Sequence, residues 1–128
     1  MTIDDYFESI ARGLRNSPHI SKIEEPIVFL ASDDQNGLLR CRVHFWDVSF
    51  LDIYEVVSTE LGYPVRIQYS YTYLRDEQRV FRYNNAPHHP EIATHPNHKH
   101  LGPEDRLAPA DQPNLSWIFD EIEGLLGD

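Results

Sequence analysis

Residues 65–84 read VRIQYSYTYLRDEQRVFRYN. Their reading decides the fold. From Val65 to Leu74 small or polar residues alternate with Tyr69, Tyr71 and Tyr73, the period of two that belongs to a strand. Asp76-Glu77 breaks the run, and 79–84 resumes it. A hairpin centred on Asp76-Glu77 predicts that Tyr73 opposes Val80, Tyr71 opposes Arg82 and Tyr69 opposes Asn84, all on one side of the pair. That face would carry phenols, a guanidinium and an amide. One reading is ordinary packing of an arginine on tyrosines. The other is that Arg82 binds an anion such as a phosphate beside a tyrosine hydroxyl.

Working outward, the same period extends back to about residue 25. A strand is expected over 26–30, followed by a turn at Asp34-Gln35-Asn36-Gly37 with the Asn-Gly chemistry of hairpins. Leu39, Cys41, Val43 and Phe45 then alternate with Arg40, Arg42, His44 and Trp46. A third strand covers 49–58, and Gly62-Tyr63-Pro64 turns it into the fourth. Within that third strand Leu51, Ile53 and Val57 share a face that Glu55 interrupts. A carboxyl group among apolar neighbours needs a partner. An even register would set it on the tyrosine face, where it suits a general base; an arginine pairing or an open edge would make it structural. Asp52 and Tyr54 fall on the opposite, solvent side.

Helices flank the strands. Thr2 caps the first, Asp4 and Asp5 lie in its first turn, and Ile3, Phe7, Ile10, Ala11 and Leu14 recur at helical spacing until Asn16-Ser17-Pro18. The second is expected over 114–126, with Leu115, Ile118, Phe119, Ile122, Leu125 and Leu126 inward and Asp120, Glu121 and Glu123 in water. The short connections between strands favour an antiparallel meander. The fold expected is α+β: one domain over 1–128, about five strands, both terminal helices on one face, and a His/Pro-rich loop at 85–113.

The 128 residues suit one domain, and 41% hydrophobic with 12% aromatic residues excludes compositional disorder. No apolar run approaches the roughly 18 residues of a membrane span. The start MTIDDYFESI has no secretory pattern, so a cytoplasmic location is expected. The lone Cys41 excludes a disulfide framework. The net charge of −10 disfavours sequence-independent nucleic-acid binding over the whole chain. The deficit is confined to the ends, since 64–100 holds five basic against three acidic residues and five of the seven histidines. An anionic substrate belongs there; the acidic ends suit a basic partner or solubility.

Those histidines lie in Pro87-His88-His89-Pro90 and His95-Pro96-Asn97-His98-Lys99-His100. Three readings stay open. In the first, histidines act as general acid and base while Arg82 and Lys99 hold a phosphodiester; RNA cleavage through its own 2′-hydroxyl needs only these and no metal. In the second, His98 and His100, two apart and hence on one side of an extended chain, ligate a metal with His88 or Glu104 as a third donor. In the third, the histidines merely tie the loop down.

The motif Val80-Phe81-Arg82-Tyr83-Asn84-Asn85-Ala86-Pro87-His88-His89, preceded by Tyr-x-Tyr and followed by Pro96-Asn97-His98-Lys99-His100, resembles the TumE-type toxins of prokaryotic toxin–antitoxin operons. The likeness runs from about Val43 onward. It implies an endoribonuclease neutralised by a helix-turn-helix antitoxin, and it sets Glu55, Tyr69, Tyr71, Arg82, His88, His98, Lys99 and His100 at motif positions. Asn84 stands where the motif has Asp. The function expected is a metal-independent endoribonuclease toxin without cofactor. Glu55, Tyr71, Arg82, His88, His98 and His100 are its candidate catalytic groups, and Tyr69, Arg82 and Lys99 its candidate RNA contacts. The alternatives are a metal-binding protein or hydrolase using His98, His100 and Glu104, and a non-enzymatic partner-binding module. Exposed edge strands allow a homodimer.

Overall fold

The computed structural model describes residues 1–24 and 27–126; Glu25 and Pro26, where the first strand was expected to begin, lie outside them. Helix α1 spans Ile3–Arg15. Thr2 and Asp5 cap it reciprocally, Asp5 N–H donating to Thr2 Oγ1 at 3.1 Å and Thr2 N–H to Asp5 Oδ2 at 2.9 Å. Its stripe of Ile3, Tyr6, Phe7, Ala11 and Leu14 is buried. The strands are β1 (Ile20–Ile23), β2 (Val28–Ala31), β3 (Asn36–Phe45), β4 (Phe50–Ser58), β5 (Val65–Arg75), β6 (Gln78–Asn84), β7 (His98–Leu101) and β8 (Arg106–Pro109). Helix α2 (Leu115–Glu123) closes the described chain, capped by Asn114 Oδ1 on Trp117 N–H at 2.8 Å.

The α+β class holds, with eight strands rather than five. They form one antiparallel sheet in the order β1-β3-β4-β5-β6-β7-β8, while β2 shares with β1 the outer edge of β3. From β3 to β8 each strand pairs with the next in sequence, as a meander does. The three unforeseen strands, β1, β7 and β8, are each four residues long. Four residues give too few alternations to stand out from a polar background. The segment 85–113 is therefore not a structureless loop. The first turn also differs: Asp33 Oδ1 accepts from the Gln35 and Asn36 N–H groups at 2.8 Å, so Asn36-Gly37 already belongs to β3. A Cβ on Gly37 would come within 2.8 Å of Leu30 O and Phe7 Cζ, and the missing side chain lets α1 lie close against the β2–β3 hairpin.

Both helices cover one face of the sheet. Phe7 stacks on Phe29 with centroids 4.8 Å apart, and Phe119 meets Phe45 edge-on at 6.3 Å. Leu39, Val43, Leu51, Ile53, Val57, Tyr69, Tyr71, Tyr73 and Phe81 fill the layer between. The other face is open. At the β5–β6 turn Asp76 and Glu77 both take positive φ, 53° and 63°, as a two-residue type I′ hairpin requires. A bulge then shifts the register: Leu74 pairs Arg79 but Tyr73 pairs Phe81, Thr72 pairs Arg82 and Tyr71 pairs Tyr83. The expected pairing of Tyr71 with Arg82 is thereby corrected. Tyrosines 69, 71 and 73 face the helices, and Arg82 points to the open side.

Candidate active site

The sequence-derived site residues divide between the two faces. On the helix side, Glu55 pairs Tyr69 across the strands and is 1% exposed. Its two carboxyl oxygens accept hydrogen bonds from Tyr6 of α1 and from Tyr71. Arg66 donates to the Tyr71 oxygen at 2.7 Å. Burial and the neighbouring Glu55 carboxyl hold both phenols protonated well above the usual tyrosine range. Tyr69 O–H donates to Asn97 Oδ1 at 2.8 Å, and burial pushes its hydroxyl up to about 12. Lys99 also lies on this side. Its Nζ is 2.6 Å from Glu121 Oε2 and over the rings of Phe81 and Tyr83. Glu121, expected in water, accepts from Tyr83 O–H at 2.5 Å as well. This network fastens α1 and α2 to the sheet. The reason Lys99 parts from His98 and His100 is the alternation of β7 itself.

The open face carries Arg82, His98 and His100. One row of cross-strand neighbours runs Arg42, Asp52, Thr72, Arg82, His100; the next runs Arg40, Tyr54, Ser70, Asn84, His98. Arg42 grips Asp52 with Nε and Nη2 at 2.6 and 3.0 Å, and Arg40 lies over the Tyr54 ring at 5.1 Å. A groove of about 680 Å³ opens here, lined in part by Arg40, Arg42, Asp52, Tyr54, Gln68 and Ser70. Arg82 is anchored through Nε on Thr72 Oγ1 at 2.9 Å and has no carboxylate partner among the described residues.

Beyond Arg82 three imidazoles meet: His89, His98 and His100, with centroids 4.9–5.9 Å apart and edges to faces. A ring nitrogen from each lies within 4.8 Å of the others. His98 is buried, its Nδ1 2.9 Å from Pro96 O. His100 Nδ1 lies 2.8 Å from Asp105 Oδ1 without an aligned hydrogen bond, and Arg79 pairs with the same carboxylate. The third member of the trio is His89, which the sequence reading passed over in favour of His88 or Glu104. His88 is exposed on the connecting loop, and Glu104 is outside the trio, its side chain curled toward Gly102. The signal for His89 was its place in the His-His pair; only the β6–β7 connection decides which of the two turns inward.

The family model described as Toxin TumE matches residues 10–126. The chain belongs to the TumE toxin family. It is thus the toxin component of a toxin–antitoxin system, with an antitoxin as its implied partner. No curated protein and no solved structure matches. No helix among the described residues is long and apolar enough to cross a membrane. At the TumE motif position where Asp was expected, Asn84 Oδ1 accepts from Ala86 N–H at 3.1 Å. The side chain there caps a turn, which either residue can do.

In this TumE toxin the surroundings of His100 disfavour its protonated form. Burial is the main cause of its lowered pKa, His98 and Arg79 add to it, and Asp105 opposes it. The unfolded chain then binds the proton more readily than the folded one. The His100 contribution to stability is complete above about pH 6.5 and is lost as pH falls from there toward the lower folded value. Urea midpoints between about pH 7 and pH 5 should fall less steeply in His100→Asn than in the wild type; equal slopes would show that His100 titrates normally.

Proposed function

We propose that this toxin is an endoribonuclease whose chemistry lies on the open face, at Arg82 and the adjoining histidines. The observation that supports this most is a guanidinium anchored through one nitrogen, without an acidic partner among the described residues, and paired in register with His100. A fixed, unpaired guanidinium is a phosphate ligand in waiting. The neutral imidazole of His100 accepts the 2′-hydroxyl proton, with Asp105 steadying the ring as the positive charge develops. The 2′-oxygen then bonds to phosphorus as the bond from phosphorus to the 5′-oxygen breaks. His89, 33% exposed in its side chain, protonates the departing oxygen. Arg82 stabilises the charge of the pentavalent phosphate. The products are a 2′,3′-cyclic phosphate and a free 5′-hydroxyl, and no metal enters the step.

The two arginines of the groove, Arg40 and Arg42, extend the same face roughly 19 Å from the histidines at ordinary strand spacing, enough to guide a single strand past the site. The carboxylates along this strip are paired, Glu24 and Asp52 with Arg42 and Asp105 with Arg79. The antitoxin is read as a helix-turn-helix protein acting in the same cytoplasm, and the exposed β8 edge allows a second copy of the chain to pair there.

Purified protein should cleave RNA in the presence of a strong chelator, and His89→Ala and His100→Ala should each abolish cleavage while remaining folded. His88→Ala should cleave normally. Loss of cleavage on chelation would replace acid–base catalysis by metal catalysis; unimpaired His100→Ala would move the site elsewhere.

A further inference from the structure

We propose that His89, His98 and His100 form a binding site for one divalent transition ion of the Zn²⁺ type, with three imidazole nitrogens as ligands and a fourth position open to solvent. Three features carry it. A ring nitrogen from each histidine already lies within 4.8 Å of the others, and small side-chain rotations close this to the roughly 3.3 Å between nitrogens on a tetrahedral zinc. His98 and His100 are two apart on β7, which directs both to one side of the sheet, while His89 reaches them from the loop after β6.

The third feature is the surrounding shell. Each Nδ1 has an oxygen beside it: Pro96 O at 2.9 Å from His98, Asp105 Oδ1 at 2.8 Å from His100, and Glu91 Oε1 at 3.4 Å from His89. An Nδ1–H turned to an oxygen, as at His98, leaves the Nε2 lone pair as the ligand, and the carboxylates beside His89 and His100 stand near enough to take the same orienting role once those rings turn. Three imidazoles converging without such an ion bring three lone pairs or three positive charges together. Of the cations nearby, Arg79 is neutralised by Asp105, while Arg82 is fixed through Nε on the Thr72 hydroxyl.

Coordination would use the lone pair that proton transfer needs, so under the endoribonuclease reading the ion-loaded protein is the resting form. The binding test is independent of that reading. Co²⁺ titrated into the apo protein should give tetrahedral visible absorption saturating at one equivalent and displaced by Zn²⁺. His89→Ala and His100→Ala should weaken Zn²⁺ binding at least tenfold by calorimetry, and the exposed His88→Ala and His95→Ala should leave it unchanged. His89→Ala lies off the sheet and tests the site even where a β7 variant fails to fold. Absence of one-equivalent binding, or binding that survives His89→Ala, overturns the proposal whatever the protein does to RNA.

Discussion

Arg82→Ala should lower RNA cleavage by about 10²- to 10³-fold, the loss expected when one preorganised donor to a developing anionic charge is removed. Its fold should stand, because among the described residues the Arg82 side chain makes one hydrogen bond, to Thr72, on the open face. In cells the same change should relieve growth arrest. The informative partner is Lys99→Ala. Both cations sit at positions that suggested a phosphate clamp, yet Lys99 points to the helices and pairs with Glu121. Its loss should cost about 1–3 kcal/mol of stability, between the values for exposed and buried pairs, and leave cleavage per folded molecule within a few-fold of wild type. Cleavage lost in Lys99→Ala but kept in Arg82→Ala, with both proteins folded, would place the phosphate on the other side of the sheet.

Glu55→Ala should be the most destabilising of the site-region changes, by about 3–5 kcal/mol. It orphans the hydroxyls of Tyr6 and Tyr71 at roughly 1–3 kcal/mol each and leaves a cavity beside them. Urea unfolding checks the loss. Glu55→Gln should keep much of the stability, since its amide still accepts one of the two phenols. Cleavage normalised to folded protein should be unchanged in Glu55→Gln. A stable Glu55→Gln that no longer cleaves RNA would instead make the buried carboxyl part of the reaction.

The sequence disclosed what repeats often enough to be read. Leu39, Cys41, Val43 and Phe45 alternate over a whole strand, and Thr2 with Asp5 or Asn114 announces a helix start at one position. The even register that sets Glu55 among the tyrosines was likewise one of the two alternatives alternation permits. Strands β7 and β8 were hidden, because four residues among prolines and histidines carry no visible period. With 85–113 read as a loop, Lys99 could be set beside the histidines as a phosphate clamp, and only the metal reading required an extended chain with His98 and His100 on one side. Once β7 is a strand, the cluster must divide, with the histidines on one side and the lysine on the other. His89 could not be chosen over His88 without the path of the β6–β7 connection.

The extra residue in the β5–β6 hairpin is a phase corrector for the whole far half of the sheet. A straight ladder from the Asp76-Glu77 turn would bring Arg82 beneath the helices and push Phe81 and Tyr83 into water. Because β7 takes its register from β6, and β8 from β7, the inversion would carry on to the strand that bears His98 and His100. One out-of-step position near Val80 thus settles which side of the molecule is greasy and which carries Arg82, His98 and His100. The side to which the β7 histidines turn depends on a miscount at the hairpin, some twenty residues earlier in the chain.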